Sequence, residues 1–204
     1  MKGKRFLYIT IILAGVIAGI FLIKKNQELR RQAAGGEPVA QIMLSTSKLD
    51  ERLARVDVMF KTGSEGGNLE KISSLSLRLK YPQDGDKELL LTDKNGIKTD
   101  KIYPNENFVN SDSWKFPVNK IYTEDNALNI DFAAVNLTTE GYSAKDFEKI
   151  ASFYLKLGEN KEALEYRLTV AKDESAIMTK TKPVTNILAY PENEFLTIKV
   201  SFEE

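Results

Sequence analysis

Two hydrophobic periods divide the chain. From Phe6 to Ile23 every side chain is apolar or aromatic except Thr10 and the small glycines and alanines. At about 1.5 Å per helical residue the run reaches roughly 27 Å, close to the hydrocarbon thickness of a bilayer. Lys24-Lys25-Asn26-Gln27 follow, where a cleaved signal peptide would present a small-residue cleavage pattern, so the run reads as a retained transmembrane helix. An all-round apolar surface flanked by charge argues against a buried core helix. Residues 1–5 then form a short basic tail, and the polar residues 24–37, ending in Ala33-Ala34-Gly35-Gly36-Glu37, form a stalk.

From Pro38 onward the period is two. Leu75, Leu77, Leu79 and Tyr81 alternate with Ser74, Ser76, Arg78 and Lys80, and the same alternation recurs at Val56/Val58/Phe60, Leu128/Ile130/Phe132, Ala151/Phe153/Leu155/Leu157, Leu164/Tyr166/Leu168/Val170 and Leu196/Ile198/Val200/Phe202. Shorter candidates lie at 40–45, 88–92, 115–122, 176–180 and 185–189. One dry and one wet face per strand is the pattern of antiparallel sheets packed face to face. Nine to eleven such strands over residues 38–204, separated by Gly-, Asn- and Asp-rich turns at 63–68, 82–86, 93–96 and 158–161, predict an all-β sandwich. One helical turn is expected at Ser143–Glu148, where Ser143 precedes Asp146 in a capping pattern.

Composition narrows the chemistry. The 204 residues contain no His and no Cys, which excludes imidazole bases, His- or Cys-ligated metals, thiol nucleophiles and disulfides. Neither a metal nor a cofactor is expected. The formal net charge of +0 hides an asymmetry: Lys2, Lys4, Arg5, Lys24, Lys25, Arg30 and Arg31 face Glu28 alone in residues 1–36, and the remainder is acidic by the same margin. An acidic domain lacks the clustered cations that phosphate binding needs, so nucleic acid is not an expected partner.

Several motifs carry competing readings. Gly15-Val-Ile-Ala-Gly19 spells G-x-x-x-G inside the apolar run, a spacing that lets two helices approach and form a homodimer, although small residues are also common in membrane helices. Asp93-Lys-Asn95-Gly-Ile-Lys-Thr-Asp100 has some oxygen donors of a calcium loop, but Pro104 stands where the bidentate acid belongs, and a hairpin turn is preferred. Asn136-Leu-Thr138 matches the N-glycosylation pattern, which matters only in a eukaryotic secretory route. Tyr103, Phe108, Trp114 and Tyr122 cluster in a segment rich in Asn, Asp and Ser, and Tyr103, Trp114 and Tyr122 are the candidate platform for stacking a sugar ring. The competing assignment puts Trp114 and Phe116 in the core. No carboxylate pair stands out as catalytic, and Asp131, between Ile130 and Phe132, is expected on a solvated face.

The succession Val39-Ala-Gln-Ile-Met-Leu44, Ala54–Gly63 and Ile72–Pro82 resembles the opening strands of cohesin-like domains, in which a Gly-rich turn precedes a strand closing on Tyr-Pro. Leu128–Phe132, Ile150–Lys156, Tyr166–Val170, Asp173–Ile177 and Thr185–Leu188 resemble the closing ones. The chain departs from that pattern at Tyr103–Trp114, at Ser143–Glu148 and in the extra strand Phe195–Phe202. The resemblance implies a jelly-roll sandwich related to carbohydrate-binding modules, non-catalytic, with a polysaccharide or a partner protein as ligand. Basic residues flank the apolar run on both sides and do not set its orientation. A short N-terminal tail with a single anchor, together with the resemblance, places the domain outside the cell membrane. The expectation is therefore a single-pass, extracytoplasmic binding or scaffold module. A membrane-tethered structural or assembly factor of the cell envelope, acting through sheet-edge or sheet-face protein contacts, is the alternative.

Overall fold

The structure, a computed structural model, describes residues 39–63, 69–83, 89–156 and 164–200. The basic tail, the expected membrane helix with Gly15 and Gly19, and the stalk lie outside the described residues, as do most of the turns expected at 63–68, 82–86 and 158–161. Among the described residues no helix is long and apolar enough to cross a membrane.

Among the described residues the period of two becomes eleven strands: β1 (Gln41–Lys48), β2 (Leu53–Lys61), β3 (Ile72–Pro82), β4 (Leu90–Thr92), β5 (Tyr103–Pro104), β6 (Trp114–Glu124), β7 (Ala127–Asn136), β8 (Glu148–Lys156), β9 (Leu164–Val170), β10 (Ala176–Thr179) and β11 (Phe195–Val200), with one short helix, α1 (Glu106–Val109). They form two antiparallel sheets. One has the order β1-β2-β8-β4, with β5 continuing along the β4 side of β8; the other has the order β11-β9-β3-β7-β6, with β10 beside the start of β3. The alternating apolar residues of both sheets meet between them. Phe60, Phe153, Ile150 and Leu155 from the first and Phe132, Leu75, Leu79, Ile130 and Leu168 from the second are all fully buried. Each such side chain contributes about 1.5–3 kcal/mol by leaving water, which is what holds the two layers face to face.

Register is set locally. Asp125 and Asn126 take φ of 50° and 55°, so β6 and β7 are joined by a two-residue turn whose twist matches the strands. Asp93 makes the β4 turn by accepting the backbone N–H groups of Asn95 and Ile97, while Gly96 takes the positive φ of 78° that the turn requires. This is a hairpin turn, closed by the Thr92↔Lys98 bridge.

Three expectations are corrected. The segment from Ser143 to Glu148 is not helical, because its backbone groups are used at long range: Tyr142 and Ile72 exchange both N–H···O bonds, and Ala144 is bound to Thr62 through both its N–H and its carbonyl. The strand expected at 185–189 is reduced to single bridges, since the segment changes partners, from Met178 at Asn186 to Ala40 at Leu188. It thereby ties the six-stranded sheet to the start of β1. Asp131 does lie on the face opposite Ile130 and Phe132, but it is 5% exposed rather than solvated, because Arg78 and Tyr122 close over it.

Candidate functional site

Two β-bulges shape one end of the sandwich. In β6 the register shifts between Lys115 and Val118, around Pro117, an edge-strand position at which a missing N–H is tolerated. In the β2–β8 pair it shifts between Val58 and Met59, which buries both Ile150 and Ala151 and re-aims the start of β8. Beyond these bulges lies α1, a single turn capped by Asn105, whose Oδ1 accepts the N–H of Asn107 while its Nδ2 donates to the Lys149 carbonyl at 2.7 Å. One side chain thus shapes the turn and fastens it to β8.

Between α1, the start of β6, residues 136–142 and the start of β8 lies a cleft of about 490 Å³. Phe108, Trp114 and Tyr142 meet edge-to-face at its wall, with ring centroids 5.4–5.5 Å apart. Trp114 is 3% exposed and Tyr142 half-buried, so Tyr142 carries the more accessible part of this aromatic wall. The Tyr142 hydroxyl donates to Glu148, and burial followed by this bond raises the phenol's pKa well above its ordinary value. Gly141 has φ of 76°, and a Cβ there would meet Lys180 Cβ at 2.8 Å and the Ile72 carbonyl at 3.0 Å, so glycine is required on both counts.

The outer face of the six-stranded sheet is organised differently. Arg78 grips Asp131 with both arms, Nε to Oδ1 at 2.6 Å and Nη2 to Oδ2 at 2.7 Å, and the Tyr122 hydroxyl donates to Oδ2 at 3.1 Å. The Asp131 bond holds the Arg78 guanidinium above its ordinary pKa. Glu174 binds the remaining arm of Arg78 and lies 3.6 Å from Lys80 Nζ, while Lys120 Nζ stands 4.7 Å from the centre of the Tyr122 ring. Toward β11 the face dips into a concavity lined by Pro82, Glu165, Arg167, Thr169 and the exposed Phe195. On the outer face of the five-stranded sheet, Asp57 accepts from Ser152 at 2.6 Å and pairs with Arg55 Nε at 3.0 Å and Lys149 Nζ at 3.9 Å.

The structure separates the three aromatic candidates. Trp114 is at the end cleft. Tyr122 is eight residues along β6, about 26 Å away at the rise of a strand, on the outer sheet face. Tyr103 lies in β5 of the other sheet, packed edge-to-face on Tyr154 with ring centroids 5.7 Å apart. Sequence reasoning did not single out Tyr142, Glu148, Asn105 or Asn136 for the cleft, nor Arg78 for the sheet face. The Asn105-Glu106 pair, a cap followed by an acid in the first turn, was a legible signal for α1. The pairing of Arg78 with Asp131 depends on the β3–β7 register, which residue type alone does not reveal.

Among the described residues, the two buried carboxylates, Asp57 and Asp131, sit on different sheets and are each held by their own partners. No group of His, Cys, Asp and Glu there could hold a metal ion. The molecule is thus an antiparallel β-sandwich with an organised polar sheet face and an end cleft. No protein-family model matches the chain, and no curated protein matches it. Among solved structures it is similar to the solution structure of CaCohA2 from Clostridium acetobutylicum, at 13% identity over 80% of this chain and 91% of that one, TM-score 0.48. It is also similar to a chain of the crystallised complex of a CaDoc0917 variant with CaCohA2, at 14% identity over 80% of this chain and 100% of that one, TM-score 0.49. A third is a chain of the Coh-OlpA–Doc918 complex, a type I cohesin–dockerin complex from Clostridium thermocellum, at 12% identity over 80% of this chain and 98% of that one, TM-score 0.46.

Proposed function

We propose that this chain is a non-catalytic binding module that holds a partner protein on the outer face of its six-stranded sheet. The observation that carries the reading is the Tyr122–Asp131–Arg78–Glu174 network, with Lys80 beside it. Its side chains are fixed before any partner arrives, so a partner does not have to order them on docking. Arg and Tyr are also the residue types that most often anchor protein interfaces, and the exposed Phe195 adds an apolar contact at the edge of the concavity.

The apolar residues 6–23 supply the tether in this reading, with the stalk 24–37 leading to a domain outside the cell membrane. A structural or assembly role in the envelope would draw on the same face. Two measurements test the proposal on the full chain. After an alkaline carbonate wash the protein stays with membranes, and protease added to intact cells with the wall removed digests the domain; release by the wash or protection from protease overturns the tether or its orientation. In gently solubilised membranes the chain migrates as a complex, and the double variant Lys120→Glu/Arg167→Glu migrates as a lone chain; an unchanged complex overturns the assignment of the face.

A further inference from the structure

The end cleft has a chemistry that the sheet-face reading leaves unused. Its two charged lining groups are both engaged within the protein: Glu148 accepts the Tyr142 hydroxyl on one oxygen and keeps its negative charge, and Lys149 Nζ stands 3.9 Å from Asp57. The rest of its polar lining is uncharged, consisting of Asn105, Asn107, Ser111, Ser113, Asn136 and Thr138. Asn105 is committed at both ends to α1 and β8, and Asn136 Oδ1 accepts both the N–H and the hydroxyl of Thr138. Among the described residues, the side chains of Asn107 and Ser113 and the Nδ2 of Asn136 make no hydrogen bond. Amides and hydroxyls donate and accept at once, which suits a ligand whose own groups do both. An anionic ligand would meet the Glu148 carboxylate, with Lys149 turned toward Asp57, and a purely apolar one would strand these polar groups.

The wall is aromatic where it is not polar, and the volume falls within the roughly 300–1,000 Å³ of small-molecule sites. We propose that this cleft binds a neutral saccharide unit. Its hydroxyls meet Asn107, Ser113, Asn136 Nδ2 and the second oxygen of Glu148, and its C–H face lies along Tyr142 and the rim of Trp114. The site is built from the β6, β7 and β8 ends and α1, away from Tyr122, so it stands or falls independently of the partner face.

Trp114 is the single tryptophan of the chain, and its emission therefore reports on this cleft alone. The full chain is titrated with three neutral disaccharides, cellobiose, maltose and di-N-acetylchitobiose, and with two charged sugars, galacturonic acid and glucosamine. The expected result is a saturable change in Trp114 emission with at least one neutral probe, weakened at least about tenfold in Asn107→Ala/Ser113→Ala and in Asn107→Ala alone, and unchanged in Lys94→Ala, a substitution in the distant β4 turn. Backbone amide shifts confined to the cleft accompany it. The proposal is overturned if no neutral probe gives a saturable change in either readout, if a charged probe binds more tightly than every neutral one, or if the Asn107 and Ser113 substitutions leave binding unaltered.

Discussion

Asp131 shows how a carboxylate on a nominally wet strand face becomes part of the fixed structure. Its side chain is 7% exposed against 28% for Arg78, so the carboxylate lies beneath the guanidinium that grips it. Arg78→Ala removes two of the three side-chain donors to that carboxylate and is expected to cost about 2–3 kcal/mol in urea denaturation, within the range for a charged group losing its hydrogen bonds. The double substitution Arg78→Met/Asp131→Leu should recover much of that loss, because replacing both partners removes the stranded charge. The tyrosines give a pH prediction. Burial raises the pKa values of Tyr122, Tyr142, Tyr154 and Tyr166, helped at Tyr122 and Tyr142 by bonds to carboxylates. In the unfolded chain these phenols ionise near the ordinary value of about 10, so the stability they contribute is complete below that pH and is lost as pH rises toward the higher folded values. Phenolate absorbance during alkaline titration should therefore show a late-titrating group of tyrosines, whose ionisation accompanies unfolding. At this scale the sequence was informative about direction but not about cover: alternation put Asp131 on the outer face, and only the β3–β7 register shows that Arg78 lies across from it.

At the scale of elements, the strands were legible wherever alternation was strict, as in β3, β7 and β9, because a face that excludes water imposes a period that residue type records directly. The exceptions are segments whose backbone is satisfied by distant partners. Ser143–Glu148 carries a helix-capping pattern, yet the bonds from Tyr142 to Ile72 and from Ala144 to Thr62 outcompete a local turn. Residues 185–189 alternate like a strand but divide their bonds between β10 and the residue preceding β1. Gly141 is the element-scale test, since its φ of 76° and its distance from Lys180 both exclude a Cβ. Gly141→Ala should lower stability by at least about 1–2 kcal/mol, the cost of a left-handed backbone for a residue with a Cβ, and calorimetry should show it as a reduced melting temperature. The β4 turn offers a second test. The N–H groups of Ile97 and Asn95 hold the Asp93 carboxylate below its ordinary pKa. The help it gives the turn is thus present above the unfolded value of about 3.9 and is lost as pH falls through the lower folded one. A carboxyl titration followed by NMR should place the Asp93 midpoint below those of freely solvated aspartates, and Asp93→Ala should abolish the acid-dependent change in the Asn95 and Ile97 amides.

For the whole molecule, the sequence conveyed the layer architecture and the absence of imidazole and thiol chemistry, while the sites depended on tertiary geometry. Tyr103, Trp114 and Tyr122 lie within twenty positions, yet they reach a different sheet, an end cleft and a sheet face, because β5 crosses to β8 while β6 runs along β7. Proximity along a β-chain does not predict a shared surface when consecutive strands change sheets. The cleft, in turn, assembles residues from four separate stretches, Asn105 bonding to Lys149 and Tyr142 to Glu148 at the start of β8. The measurement that bears most directly on the functional account is photo-crosslinking in native membranes, with a photoreactive residue placed in turn at Thr197, on the outer face of the six-stranded sheet, and at Ser45, on the outer face of the five-stranded one. The account predicts a discrete protein adduct from Thr197, none from Ser45, and loss of the Thr197 adduct when Lys120 and Arg167 are changed to glutamate. An adduct from Ser45 alone, or none from Thr197, would contradict it.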